Sequence, residues 1–196
     1  MSEWIQVQEV IHTQRLELHH ICASELVTLF EEPENTSIYD DKPYKNPHRV
    51  LIDDKGPLAW RVPQVKENPT VNKWFVRWIV LRVTGEIVGS TSFHAMPDST
   101  GMIEIGLGIS EAFRNQGFAR ETLIGMWQWA LKDSEVKTLR YTVGVENAPS
   151  VHVVESFGFT YTGEQIDDED GPESIYEMAR EVFIILSGET LLRISS

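Results

Sequence analysis

A chain of 196 residues, 41% hydrophobic and 24% charged, is long enough to bury a sizeable core without covalent staples. Its single cysteine, Cys22, excludes an internal disulfide and reads as a small core residue in a reducing compartment. A formal charge of −13 disfavours nucleic-acid phosphates and anionic membranes, and it favours cationic partners, amines among them. Met1-Ser2-Glu3-Trp4 carries no basic or apolar signal-peptide region, and the aliphatic cluster Val182 to Leu186 is too short to cross a bilayer, so a cytoplasmic protein is expected.

The elements follow in chain order. Ile11 to Leu18 reads as a first strand. Ser24 is placed as the N-cap of a helix over Glu25 to Glu32, with Leu26, Leu29 and Phe30 on one face. Six of the nine prolines fall between residues 33 and 69, which predicts a largely irregular stretch, either functional or a surface covering. Trp74 to Leu81 and Ile87 to His94 read as a hairpin turning at Thr84-Gly85-Glu86. Met102 to Ile109 is a further strand. Ile103, Ile105, Leu107 and Ile109 form its apolar face, and Glu104, Gly106 and Gly108 the other.

A helix is expected from about Gly117, with Ala119, Leu123, Met126, Trp127, Ala130 and Leu131 at helical spacing. Leu139, Tyr141, Val143 and Val145 alternate as a strand. Asn147-Ala148-Pro149-Ser150 opens a short helix that Gly158 closes. A last strand is expected from about Ser174 to Arg180. The order is mixed α/β, α+β in detail, and one domain is expected over residues 1–196 with a variable proline-rich segment at about 33–70.

The stretch Ile105 to Ala119 carries the chemistry. A strand ends, a short loop turns, and a helix starts at a glycine, which offers unpaired N–H groups to an anion such as a pyrophosphate. Gly117 permits close approach, Ala119 leaves room, and Arg114 places a cation at the mouth of the loop. The dinucleotide fingerprint fails because Glu111 stands at its third glycine, and no P-loop pattern is present.

Arg114-x-x-Gly117-x-Ala119 resembles the pyrophosphate loop of GNAT acetyltransferases. Its surroundings are similar too: Ile103-Glu104-Ile105-Gly106 before it, and Asn147-Ala148-Pro149-Ser150 and Glu155-Ser156-Phe157-Gly158-Phe159 after it. With Thr13-Gln14-Arg15-Leu16-Glu17-Leu18, the order resembles the branch of ribosomal-protein N-terminal acetyltransferases, alanine- and serine-directed. The likeness is good over about 73–180, adequate over 11–32 and poor over 33–70. It implies a splayed mixed sheet flanked by helices, with two central parallel strands parting for a pantetheine arm. It implies acetyl-CoA as co-substrate and no metal. It implies that Leu107, Gly108 and Ile109 pair with the pantetheine and polarise the thioester. Asn115, Gln116, Gly117, Phe118 and Ala119 would hold the pyrophosphate, and Asn147 and Ser150 would line the reactive end.

Acetyl transfer needs a neutral amine, so a base is required. Glu104 can supply it directly or through water. Its other reading is a solvated or ion-paired strand residue. Ser150 can offer a hydrogen bond to the leaving thiolate, or it can bond locally at the helix start. Two departures from the branch stand out. Val154 replaces a tyrosine that many GNAT enzymes use as an acid, and Leu107-Gly108 replaces two aromatics, which widens the acceptor cavity. No histidine spacing suggests a metal site, and the adjacent His19 and His20 would point to opposite faces of a strand. The acidic run Glu164, Asp167, Asp168, Glu169 and Asp170 either is solvated or attracts a cationic acceptor.

The expected activity is N-acetylation of a primary amine, on a protein N-terminus or a small cationic molecule. The competing expectation is a CoA-binding sensing or interaction module with weak catalysis. Neither nucleic acid nor membrane is expected as a partner, and the sequence leaves monomer and homodimer open.

Overall fold

The computed structural model describes residues 2–167 and 171–194. The chain forms two compact bodies. One runs to Met96 and takes in Gly106–Trp129; the other comprises Pro97–Ile105 and the chain from Ala130 onward. The fold is the mixed α/β arrangement expected, with strands numbered β1 to β8 and helices α1 to α5 below.

In the first body the strands run β1 (Ile11–His12), β2 (Leu16–His20), β3 (Arg77–Leu81), β4 (Glu86–Phe93), then the second half of β5 (Met102–Ile109). β1, β2 and β3 pair antiparallel in succession, as do β3 and β4. The single strand expected over Ile11 to Leu18 is instead two, folded so that Ile11 faces Leu18. Thr13 makes the turn. Its N–H donates to the Leu16 carbonyl and its hydroxyl accepts the Leu16 N–H, both at 3.0 Å. β3 begins at Arg77 rather than Trp74, because Pro69–Trp74 is wound as a 3-10 turn.

α1 (Ala23–Glu31) starts earlier than expected, with Cys22 rather than Ser24 at its N-cap. The Glu25 carboxylate accepts the Cys22 N–H at 3.2 Å, which satisfies one of the donors a helix start leaves open. The proline-rich segment also departs from expectation. Leu58–Glu67 is a helix, α2, with Pro57 at its N-cap and Pro63 inside it. Leu58, Arg61, Val62 and Val65 recur at helical spacing and are buried, and that burial outweighs the one backbone bond Pro63 removes.

α3 (Phe118–Ala130) lies against β1 and β2 at Gly125. A β-carbon there would stand 3.0 Å from a Thr13 methyl, 3.3 Å from Ile11 and 3.4 Å from Leu18. The absent side chain therefore sets how closely α3 approaches the hairpin.

The second body takes the first half of β5, then β6 (Thr138–Gly144), β8 (Gly171–Ala179) and β7 (Thr160–Asp167). β5 and β6 pair parallel over Met102–Thr138, Ile103–Leu139 and Glu104–Arg140. β8 pairs antiparallel with both β6 and β7. β7 was not foreseen: Thr160 to Asp167 has no apolar alternation, and pairing with β8 makes it a strand. The last strand extends to Gly171 at its start, and α5 (Arg180–Ile194) follows it. Arg180 donates to the carbonyls of Leu131, Asp133 and Val136, at 2.6, 2.8 and 3.0 Å, and so ties the start of α5 to the connection that leads into β6. α4 (Ala148–Ser156) begins under an Asn147 cap, and Gly158 follows at φ +82° as the left-handed stop.

Among the described residues no helix is long and apolar enough to cross a membrane.

Candidate functional site

The expected anion loop lies wholly in the first body, between β5 and α3. β5 ends at Ile109, a 3-10 turn occupies Glu111–Phe113, and α3 starts at Phe118. Asn115 and Gly117 both stand at positive φ, +60° and +80°, on either side of Gln116. Alternation of this kind turns successive N–H groups toward one concave side, a shape that receives anions. The first N–H groups of α3 have no acceptor within the helix and add to the same side. Glycine at 117 is required by the backbone itself, because few other residues adopt that conformation without strain.

Arg114 is exposed, and its Nε donates to the Ile109 carbonyl at 3.0 Å. It thus ties the loop back to the end of β5. Gln116 is exposed as well, its amide donating to Ala112 at 3.2 Å. Phe118 is buried at the start of α3, and Ala119 is half-buried behind it.

The exposed face of β5 supplies a cradle. A β-carbon on Gly108 would meet nothing within 4 Å. Gly106 is different: its missing side chain leaves room for the His94 imidazole, whose Nε2 would lie 3.0 Å from a β-carbon there. The open part of this face is therefore at Gly108. The Thr91 hydroxyl donates to the Gly106 carbonyl at 3.0 Å, and the Ser110 N–H donates to Val88 at 2.8 Å. β5 is held against β4 on both sides of Leu107, Gly108 and Ile109. An extended chain with its own amide groups can lie along such a strand, as a pantetheine has them.

A second cation at this loop was not singled out from the sequence. Arg15 follows the Thr13 turn, and its Nε donates to Glu121 of α3 at 2.7 Å. Its Nη1 donates to the Gln116 carbonyl at 2.9 Å, and its guanidinium lies 4.5 Å from the centre of the Phe118 ring. Desolvation pushes the Glu121 carboxyl up, but hydrogen bonds from the Thr13 hydroxyl and the Arg15 N–H and guanidinium outweigh it and hold it below its usual range.

The other expected residues lie in the second body. Glu104 is half-buried on β5, in register with Arg140 of β6, and Arg140 gives Nε and Nη2 to Glu177 of β8 at 2.8 and 2.6 Å. Asn147 and Ser150 come together at the start of α4. The Asn147 side chain accepts the Ser150 N–H at 3.3 Å, and the Ser150 side chain is close enough to the Tyr141 phenol to oppose in part the rise of its pKa. Tyr141 is buried on β6, and burial pushes its phenol up. Strand alternation marked Tyr141 only as a core residue; its nearness to Ser150 has no sequence signal. Asn147 also lines a cavity of about 460 Å³ with Gly144, Val145, Glu146, Pro149 and Pro172. Val154 is fully buried in α4 and offers no proton.

Of the acidic run, Glu164 and Asp167 sit on β7, while Asp168, Glu169 and Asp170 lie outside the described residues. His20 is a core histidine, 3% exposed, and His152 is exposed on α4. Among the described residues no group of three or more His, Cys, Asp or Glu side chains could hold a metal ion.

The family model of the acetyltransferase (GNAT) domain matches residues 15–160. The uncharacterized N-acetyltransferase YjdG of Bacillus subtilis is 35% identical over 96 residues, 48% of this chain and 56% of that protein. The match thus spans little more than half the length of that relative. Two solved structures share the fold. A candidate ribosomal-protein-serine acetyltransferase from Vibrio cholerae is 18% identical, with 88% of this chain and 98% of that one covered and a TM-score of 0.58. A GCN5-related N-acetyltransferase from Brucella melitensis is 15% identical, with 91% and 81% covered and a TM-score of 0.60.

Proposed function

Because the chain belongs to the GNAT acetyltransferase family, we propose that it works as one domain transferring an acetyl group from acetyl-CoA to a primary amine. The carrying observation is the concave loop at Asn115–Gly117, set between the end of β5 and the start of α3. That loop suits a diphosphate, and the side-chain-free face at Gly108 suits an extended amide-bearing arm.

Acetyl-CoA as co-substrate supplies an activated acyl carbon. The chain's residues have four tasks. Asn115, Gln116, Gly117, Phe118 and Ala119 present backbone N–H groups to the diphosphate, with Arg114 beside them. Leu107, Gly108 and Ile109 give backbone donors and acceptors to the arm and an N–H to the thioester oxygen, where negative charge develops. Glu104 takes the proton that the amine must lose to expose its lone pair, directly or through water. Asn147 and Ser150 border the sulfur end, and the Ser150 hydroxyl gives the departing thiolate a hydrogen bond.

The acceptor is an amine, either a protein N-terminus or a small cationic molecule. The charge of −13 supports this class by drawing cations toward the protein. A protein of this composition with no membrane-crossing helix among the described residues is consistent with work in the cytoplasm.

Thiol release from acetyl-CoA, measured across a panel of peptides, polyamines and other amines, tests the reading. Turnover that depends on one acceptor class supports it. Binding of acetyl-CoA without turnover on any amine supports the second reading, a CoA-binding module, which the buried Val154 favours. No binding at all defeats both.

A further inference from the structure

We propose that Arg15 is a positioning residue of the diphosphate site, reaching the anion loop from outside the stretch of sequence that forms it; this rests on the acetyl-CoA reading above. The loop's shape depends on two residues at positive φ, a conformation its own sequence holds only weakly. Something must fix it. Within the loop, the bonds from Arg114 to Ile109 and from Gln116 to Ala112 fasten the flanks. The segment Gln116–Phe118 is fastened by Arg15. Nη1 holds the Gln116 carbonyl at 2.9 Å, and the guanidinium covers the Phe118 ring at 4.5 Å. Gly117 lies between these two grips.

The arginine is itself aimed. Gly125 brings α3 close to the β1–β2 hairpin, and Glu121, one helical turn earlier, then meets the hairpin turn. Glu121 accepts the Thr13 hydroxyl and the Arg15 N–H, each at 2.6 Å, and Arg15 Nε at 2.7 Å. With Nε and Nη1 engaged, Nη2 stands 3.4 Å from where a β-carbon on Gly117 would be and takes no part in these bonds. A guanidinium held as a planar fork is suited to this task, since one edge can be anchored while the remaining N–H groups face an anion. Arg15 remains partly exposed, with 44% of its side chain accessible, so a phosphate can reach it.

The test compares acetyl-CoA with S-acetyl-pantetheine, which carries the thioester and lacks the phosphates. Wild type is expected to show the lower KM for acetyl-CoA. In Arg15→Gln the KM for acetyl-CoA should rise roughly ten- to hundredfold, with kcat little changed and the kinetics of S-acetyl-pantetheine unaltered. Glu121→Gln gives an opposed sign. Removing a carboxylate near an anion site tightens anion binding by charge alone, whereas releasing the arginine loosens it; loosening is expected. Arg15→Lys, which keeps the charge without the fork, should fall between wild type and Arg15→Gln, and it carries the comparison if Arg15→Gln does not fold. An Arg15→Gln or Arg15→Lys protein with wild-type preference for acetyl-CoA overturns the assignment, as does an equal loss with both substrates or tighter binding in Glu121→Gln. A wild-type protein that treats the two substrates alike defeats the diphosphate reading itself, and Arg15's part in it falls too.

Discussion

The carbonyl oxygen of Gly108 on β5 occupies the space that a β-carbon on Gly89 of β4 would need. The two strands touch backbone to backbone, beside the face proposed to take the acyl donor. Alanine at position 89 cannot be absorbed by a flexible side chain, because it meets main chain at Gly108 and at Ile109. Gly89→Ala should cost about 1–3 kcal/mol, as overpacking does, and lower the melting temperature by several degrees. A thermal scan of the pure variant checks this; a wild-type melting temperature contradicts it.

Gly117 has a different constraint. Its φ of +80° strains any substituted residue, and the anion would lie against its α-carbon. Gly117→Val should abolish acetyl-CoA binding in a protein that still folds. Calorimetric titration of the folded variant decides the matter, and unchanged affinity would remove the loop from the site.

Glu104→Gln keeps shape and deletes basicity. With the preferred amine, turnover should fall by about 10²–10⁴-fold, the usual worth of general-base help. The deficit should shrink as pH rises, since free amine then accumulates without the enzyme's aid. Equal rates for variant and wild type across the pH range would leave Glu104 as a strand residue in register with Arg140 and nothing more.

His20 predicts how stability varies with acidity. Its Nε2–H donates to the Asn72 carbonyl at 2.8 Å, and its Nδ1 accepts the Gln8 N–H at 3.3 Å, so the neutral ring satisfies both nitrogens. Burial, chiefly, and the nearby Arg77 lower its pKa to about 4, against the opposing pull of the Asn72 bond and Glu25. The unfolded chain binds a proton near pH 6.5, where the folded protein does not. Stability from this group is thus complete above about pH 6.5 and is lost as pH falls toward 4, by on the order of 3 kcal/mol. Urea unfolding of wild type and His20→Gln at several pH values measures it. The gap between the two proteins should narrow on acidification; a constant gap refutes the assignment.

Ser150→Ala removes the hydroxyl proposed to meet the departing thiolate at the start of α4. Loss of one donor to a developing anion typically costs 10²–10³-fold at a dedicated site, and a serine hydroxyl, a poor acid, should cost less, about tenfold in kcat, with KM for acetyl-CoA little altered. Single-turnover measurement separates this from slow product release. An unchanged chemical step assigns Ser150 to the start of α4 alone.

What the sequence determined by itself was local and periodic. β5 was legible to the residue because Ile103, Ile105, Leu107 and Ile109 alternate without interruption. The start of α3 and the Asn147 cap were legible because helix ends carry short-range chemistry. The turn from Arg114 to Ala119 into α3 was legible for the same reason: its signals are contiguous. The tertiary structure decided what depends on distant partners. Leu58–Glu67 is helical despite Pro63 because its apolar stripe is buried. Thr160–Asp167 is a strand because β8 pairs with it. Arg15 is 101 positions from Gln116, and only the missing side chain of Gly125 brings α3 close enough for Glu121 to aim it. Packing across such separations leaves no pattern in the chain, and so the contacts of Arg15 with Gln116 and Phe118 are visible only once the helix is docked.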